Sequence, residues 1–348
     1  MAYDLDSILN VSAVPQDDRK AKFVAESRNN RNRCYELSEQ MTEKVAADAQ
    51  AFQQYLDVQS RFDRYTANNA LLIMAQMPEA EKIGDYGYWK DKGVYVKRQE
   101  RNNPILIMEP GKEYEREDGS IGTYYNAKKV YDITQTTMDR MIQPQPEEIT
   151  DKQLLRALVS NPPAAIVTAE PDQMPEGKGA FFEPEENCIY VRKGMDVQDI
   201  FKSLTPELAL AGFADKDKDF ERGEYMFYAY CASYMLCKKF GINTQDFQFD
   251  DHVKEYFKDM EPQEVRTELS RIRDAASGIS SRMAKMLEQE RSQHRQSEHL
   301  PQPEQPEKAE QNSSSQPSGE WQQIEQHQSS QGYPKGRKSP QYTRGDNR

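Results

Sequence analysis

Between Asp199 and Phe213 the chain reads DIFKSLTPELALAGF, and Glu207 stands where a zinc-metallopeptidase helix keeps its general base. Hydrolysis by zinc on a helix takes two histidines four residues apart, so that both imidazoles leave one face toward the metal, with a glutamate beside the first. The histidine places here are Pro206 and Leu210. Proline has no ligating side chain, leucine offers only carbon, and the only histidine before residue 290 is His252. The segment has the build of a zincin helix without the groups that hold zinc. We therefore expect no metal, no other cofactor and no peptidase activity.

Asp215, Asp217, Asp219, Glu221 and Glu224 follow as an acidic cluster whose DKDKD run superficially matches a calcium loop. That loop requires glycine at its sixth position and glutamate at its twelfth. Counted from Asp215 these are Phe220 and Met226, so the cluster reads as a solvated loop. Pro206 lacks a backbone donor, so the helix is expected either to kink there or to restart with Thr205 as N-cap and Pro206 at its first position. Glu207 then reads as a carboxylate near a helix N-terminus, favoured by the helix dipole.

A second constellation could bind nucleic acid. Tyr86, Tyr88, Trp89, Lys90, Lys92, Tyr95, Lys97, Arg98 and Arg101 interleave aromatics with cations, and Asp85, Asp91 and Glu100 are the only acids among them. Single strands need both kinds of group, because phosphates pair with mobile cations and unpaired bases stack on flat apolar rings. The same composition also describes a small sheet whose aromatics form its core and whose lysines line a solvated edge.

These groups must be positioned by local elements. Leu37, Met41, Val45, Phe52 and Leu56 recur at helical spacing and predict one long helix. RYTANNALLIMAQ, from Arg64 to Gln76, predicts a second that ends before Pro78. GVYVKRQ, NPILIMEP and KKVYDITQT are rich in β-branched and aromatic residues between turn-formers and predict strands. Farther on, Phe240-Gly241 closes a helix, and Val265, Leu269, Ile272, Ile279, Met283 and Leu287 predict an amphipathic helix from Pro262 to about Glu290. The fold class is α+β.

Composition bounds the remainder. The 348 residues are 36% hydrophobic and 30% charged, with a net charge of -12. Residues 1–143 hold 20 Lys+Arg against 23 Asp+Glu, residues 144–289 hold 18 against 27, and residues 290–348 hold 8 against 8. The acidity of the middle block argues against generic nucleic-acid binding but leaves room for a basic face in the first. No apolar run approaches the roughly 20 residues needed to cross a bilayer. The acidic N-terminal start lacks a signal-peptide n-region, so a cytoplasmic protein without membrane contact is expected. Cys34, Cys188, Cys231 and Cys237 have no C-x-x-C spacing and read as buried free thiols. The prolines of QPQPEEIT mark a boundary near residues 143–150, and the Gln/Ser/Pro-rich sequence beyond 290 reads as a disordered tail.

The run RFDRYTANNALLIMAQMP (Arg61 to Pro78), followed by Trp89, Gly93, Lys97-Arg98, the strand Ile105 to Pro110 and VYDITQT, resembles the N-terminal domain of the ArdC-type antirestriction family. Gly179 to Phe213 and Tyr228 to Ile242 are similar to the metallopeptidase-like domain that follows in that family. The resemblance implies a single-stranded-DNA-binding domain over residues 1–143, with Arg64, Tyr65, Asn69, Trp89, Lys90, Lys92, Lys97, Arg98 and Arg101 as DNA-binding residues. It implies a zincin-like, mostly helical domain over residues 144–289, containing a strand from Cys188 to Val191 and two packed helices. The family's third metal ligand falls at Tyr230, also a non-ligand, so the domain is a pseudo-metallopeptidase. Two departures bear on affinity: Val94 follows Gly93 where the family has arginine, and Gln99 replaces a glycine after the basic pair. The implied protein is an accessory of a plasmid or integrative conjugative element that protects incoming DNA. Its partners would be single-stranded DNA and a host or conjugation protein. The alternative is an interaction scaffold of a conjugative element that does not bind DNA.

Overall fold

Helix formation begins where the apolar spacing places it, but caps decide the boundaries. In the computed structural model, which describes residues 16–116, 118–138 and 149–298, the expected long helix is two. Helix α1 spans Gln16–Ala47. It stops because Asp48 turns extended, and its carboxylate accepts from Gln50 N at 2.9 Å to cap α2, Ala49–Arg61. Val45, Phe52 and Leu56 are fully buried across this break. Thr66 caps α3, Ala67–Gln76, through Asn69 N. Arg64 and Tyr65 therefore lie in the preceding turn, outside the helix expected to hold them.

Strand β1 is Ile83–Gly84, and Asp85 then caps a short helix α4, Tyr86–Asp91, by accepting from Tyr88 N at 2.7 Å. The expected strand Gly93 to Gln99 does not form. Gly93 turns at φ +70°, Val96 makes one bridge to Thr136, and Arg98–Glu100 is a 3₁₀ turn. The two other strands do form, as β2, Ile105–Glu115, and β3, Ile121–Asp132, paired antiparallel with a register shift between Pro110 and Glu113. The sheet order is β1-β3-β2. VYDITQT is only partly strand, because the buried Asp132 accepts from Glu81 N, Lys82 N and Thr134 N, pulling the chain into a 3₁₀ turn.

The exposed edge of β2 is closed by side chains. Asn69 donates to Met108 O at 2.9 Å and accepts from Met108 N at 2.8 Å. Gln76, two helical turns on, does the same at Leu106 O and N, both at 2.9 Å. Helix α3 thereby supplies the partners that a further strand would give, and an unpaired edge is covered.

Helix α5, Asp151–Leu158, opens on a capping box of Thr150 and Gln153. Strands β4 (Ala165–Ala169), β5 (Ala180–Glu183) and β6 (Cys188–Arg192) make a second sheet in the order β4-β6-β5, with β4 parallel and β5 antiparallel to β6. Helix α6, Val197–Ala214, runs on through Pro206, so no restart occurs there. Thr205 is not an N-cap: its hydroxyl donates to Phe201 O at 2.9 Å and hydrogen-bonds Ser233. Helix α7, Arg222–Phe240, ends at Gly241, φ +72°. Helices α8 (Asp251–Phe257) and α9 (Pro262–Glu298) follow. All six apolar residues expected on the α9 face are buried, and α9 continues past the expected start of the tail at 290 to Glu298. The rest of the tail lies outside the described residues.

One core serves both halves. Phe52, Tyr55 and Leu71 share it with Phe201, Tyr234 and Leu269, Tyr234 donates to Asp57 at 2.7 Å, and Lys239 is paired with Asp63. The boundary expected near residue 143 falls outside the described residues, and the described residues form one compact unit. The four cysteines are free and buried, as the spacing predicts. Burial pushes the Cys34 thiol up to about 11 and the Cys237 thiol up to about 12.

Candidate functional site

Helix α4 sorts its aromatics by face. Trp89 points inward, fully buried among Val94, Val96, Tyr131 and Ile133, and its indole N–H donates to Tyr131 O at 3.0 Å. It is the anchor of a small satellite core and has no face left for a base. Asn69 is likewise withdrawn from the set of DNA-binding residues, since both ends of its amide are held by the β2 backbone. Tyr86, Tyr88 and Tyr95 are exposed. Lys92 lies over the Tyr88 ring, 5.1 Å from its centroid.

The remaining residues expected at this face reach solvent. Lys90, Arg64, Arg98 and Arg101 are exposed and make no side-chain hydrogen bond or ion pair among the described residues. Lys97 is exposed but donates to Thr134 O at 2.9 Å. Tyr65 is half-buried, and burial first of all raises its phenol pKa, with Lys128, Tyr88 and Asp85 near enough to act on it. Asp85 is held below the usual carboxylate range by the Tyr88 amide and then by Lys128. Lys128 in turn bridges Asp85 at 2.9 Å and Glu109 at 3.1 Å. The structure thus brings Tyr65 near Tyr88, Asp85 and an ion-paired Lys128.

Sequence reasoning missed the tyrosines of the β2–β3 hairpin. Tyr114 and Tyr124 pack at a tilt of 35° with centroids 4.3 Å apart, and Tyr124 and Tyr125 are 55% and 45% exposed. Gly122 makes room for this pair, because a Cβ there would sit 2.5 Å from Tyr114 Cζ. The available signal was a glycine beside adjacent tyrosines in a strand, where aromatic pairs gather across the ladder.

The Glu207 site is closed. Glu207 is 5% exposed in the middle of α6, not at a helix N-terminus. Its Oε2 accepts from Phe182 N of β5 at 2.9 Å, and its Oε1 accepts from Arg222 at 2.6 Å. Arg222 also lies over the Phe181 ring at 4.8 Å. Both oxygens of the carboxylate are thus taken up by charge-assisted hydrogen bonds, one to a guanidinium and one to a backbone amide. Leu210 is fully buried, and the Tyr230 hydroxyl accepts from Gln248 N at 2.7 Å. In the acidic loop Asp217 is occupied by Asp219 N at 3.1 Å and by the Tyr225 hydroxyl. Among the described residues no group of three His, Cys, Asp or Glu side chains could hold a metal ion. No helix among them is long and apolar enough to cross a membrane.

No protein-family model matches the chain, and no curated protein matches it significantly. Two solved structures of the antirestriction protein ArdC from the R388 plasmid are similar to it. The metal-free form is 16% identical with a TM-score of 0.42, over 64% of this chain and 86% of that one. The Mn(II)-bound form is 14% identical with a TM-score of 0.46, over 72% of this chain and 98% of that one.

Proposed function

We propose that the chain is a single-stranded-DNA-binding accessory protein of antirestriction type, encoded by a mobile element and acting in the cytoplasm, whose zincin-like region is catalytically inactive. The observation that carries this reading is the exposure of Lys90, Arg98 and Arg101, without side-chain partners among the described residues, in the same stretch of chain as the exposed rings of Tyr86, Tyr88 and Tyr95. Unpaired cations and exposed tyrosines in one stretch of a chain of net charge -12 suit a polyanion whose bases are accessible. Duplex DNA hides its bases from such rings. A metal such as the Mn(II) held by one of the similar structures does not fit here, since Pro206, Leu210 and Tyr230 supply no suitable donors and Glu207 is held by Arg222. No hydrolytic step is derived for this chain.

Fluorescence anisotropy of a labelled single strand titrated with the full chain, with a duplex of the same sequence as control, tests the reading. Salt-sensitive binding that favours the single strand is expected. Replacing Lys97 and Arg98 by alanine should weaken it roughly 20-fold at about 0.1 M salt if each meets a phosphate. Absence of binding at low salt would sink the reading in favour of a protein-interaction scaffold.

A further inference from the structure

Side chains close the edges of β2 and β5 but not that of β4. Asn69 and Gln76 cover β2. On β5, Phe182 N donates to Glu207, and Phe182 O accepts from Arg222 at 3.4 Å. Strand β4 lies at the other end of that second sheet, in the order β4-β6-β5. Its parallel pairing with β6 begins at Ala165 N, which donates to Asn187 O, and ends at Ala169 O, which accepts from Lys193 N. Backbone polar groups of successive residues point to opposite edges of a strand, so those of Ala165, Val167 and Ala169 face β6 and those of Ile166 and Thr168 face away. Among the described residues the outward N–H and C=O groups of Ile166 and Thr168 have no hydrogen-bond partner.

The sequence of this edge suits a second copy of itself. AIVTA carries no ionisable side chain, and Glu170 just beyond it is paired with Lys193 at 2.7 Å. A nucleic acid, or a strand drawn in by charge, therefore finds no counter-charge along it. The same strand turned antiparallel about a two-fold axis at Val167 places Ile166 opposite the second copy's Thr168, and Thr168 opposite the second copy's Ile166. Each outward N–H then meets an outward C=O, as in the hydrogen-bonded pairs of an antiparallel ladder. Val167 meets its own copy in the closer, non-hydrogen-bonded position, where β-branched side chains pack well. Val167 is 47% exposed, and its register sets it beside Tyr190, which is itself beside Phe181. The pairing covers Val167 and carries this row across both copies. Glu170 falls opposite Ala164, so no like charges are opposed.

We propose that β4 is a self-association edge, through which two copies of this chain join their second sheets into one. The assembly closes on itself, because a two-fold contact uses the same edge on both copies and the far edge, β5, is capped by Glu207 and Arg222. Pro163 and Pro171, which lack a donor, bound the pairing on either side. Five residues a side fall well short of the roughly 20 of a standard interface, so the dimer is reversible and forms at high protein concentration. The inference is independent of the single-strand reading.

Sedimentation velocity of the full chain over a concentration series should show a monomer passing to a dimer, with more dimer at high salt, since two chains of net charge -12 repel. Val167→Lys should raise the concentration needed by roughly 10-fold or more, since it sets like charges opposite each other. Its unfolding midpoint should not change, because the side chain is exposed. Val167→Cys should form an intermolecular disulfide under mild oxidation, because Cα atoms about 4.5 Å apart in a non-hydrogen-bonded pair lie within disulfide range. The native cysteines are buried and do not compete. Ala165→Cys should not link to itself but should link to Ala169→Cys, which the register places opposite it. A chain that stays monomeric at every concentration would overturn the proposal and leave the edge to a foreign strand. So would a dimer that Val167→Lys leaves intact, or an Ala165→Cys variant that links to itself as fast as Val167→Cys does.

Discussion

The surface around α4 and the interior around Glu207 both collect charged and aromatic residues, and they leave those residues in opposite states. On α4 and the following loop the cations Lys90, Arg98 and Arg101 face solvent without side-chain partners among the described residues. On α6 the carboxylate of Glu207 is buried, and both its oxygens are bound by Arg222 and the Phe182 amide. A desolvated charge must find its counter-charge within the protein, and once it has done so it is held in place. A hydrated charge needs no fixed partner and remains available to a ligand. The residue types in the two regions overlap, so burial, not composition, separates the solvent-facing set from the architectural one. Trp89 and Asn69 make the point within the first half of the chain, where both are buried and internally satisfied.

The largest effect that would break this comparison lies at the buried pair. Arg222→Ala should cost about 3 kcal/mol, because it leaves Glu207 buried without its counter-charge. Glu207→Leu combined with Arg222→Met should recover much of that loss in urea unfolding. A single variant that unfolds like the unaltered chain would show that Glu207 is solvated, contrary to the closed site. Next comes Asn69→Leu, which strips the edge of β2 of two hydrogen bonds and should destabilise by about 2 kcal/mol. Its affinity for single strands, measured where the protein remains folded, should not change; a weakened affinity there would return Asn69 to the binding surface.

The smallest effect concerns Asp132. Burial alone would raise its pKa, but hydrogen bonds from Thr134 and from the Lys82 and Glu81 amides outweigh this and hold it below the ordinary value. A lowered folded pKa stabilises above the unfolded carboxylate pKa of about 3.9, and that stability is lost as pH falls through the folded value. Asp132→Asn should therefore cost about 1 kcal/mol at neutral pH, and the difference should shrink as pH falls through the lowered folded pKa. Chemical denaturation at several pH values reads this directly, and a penalty that persists at low pH would mean the carboxylate charge is not what matters.

Legibility followed the range of the interactions. Helix α9 could be read from its own spacing, because a face that recurs along one helix is encoded within that helix. The end of α7 at Gly241 and the strand β2 are local signals of the same kind, while β6 was expected from the family resemblance. Helix α4 was not foreseen, because its six residues, YGYWKD, are too few to show a period and are rich in strand-favouring aromatics; the Asp85 cap decided the matter. Nothing local marks Arg222 as the partner of Glu207, and nothing marks Asn69 as the partner of a strand far along the chain.

By itself, then, the sequence determined the α+β class, the absence of histidine at the two zinc places, the buried thiols and the local charge pattern, all properties of residue type and short-range spacing. Only the tertiary structure decided which aromatics face water, that Glu207 is neutralised by Arg222, and that the amides of α3 close the edge of β2. These depend on contacts between residues distant in sequence, whose desolvation and pairing are set when the core assembles and are not encoded in any one segment.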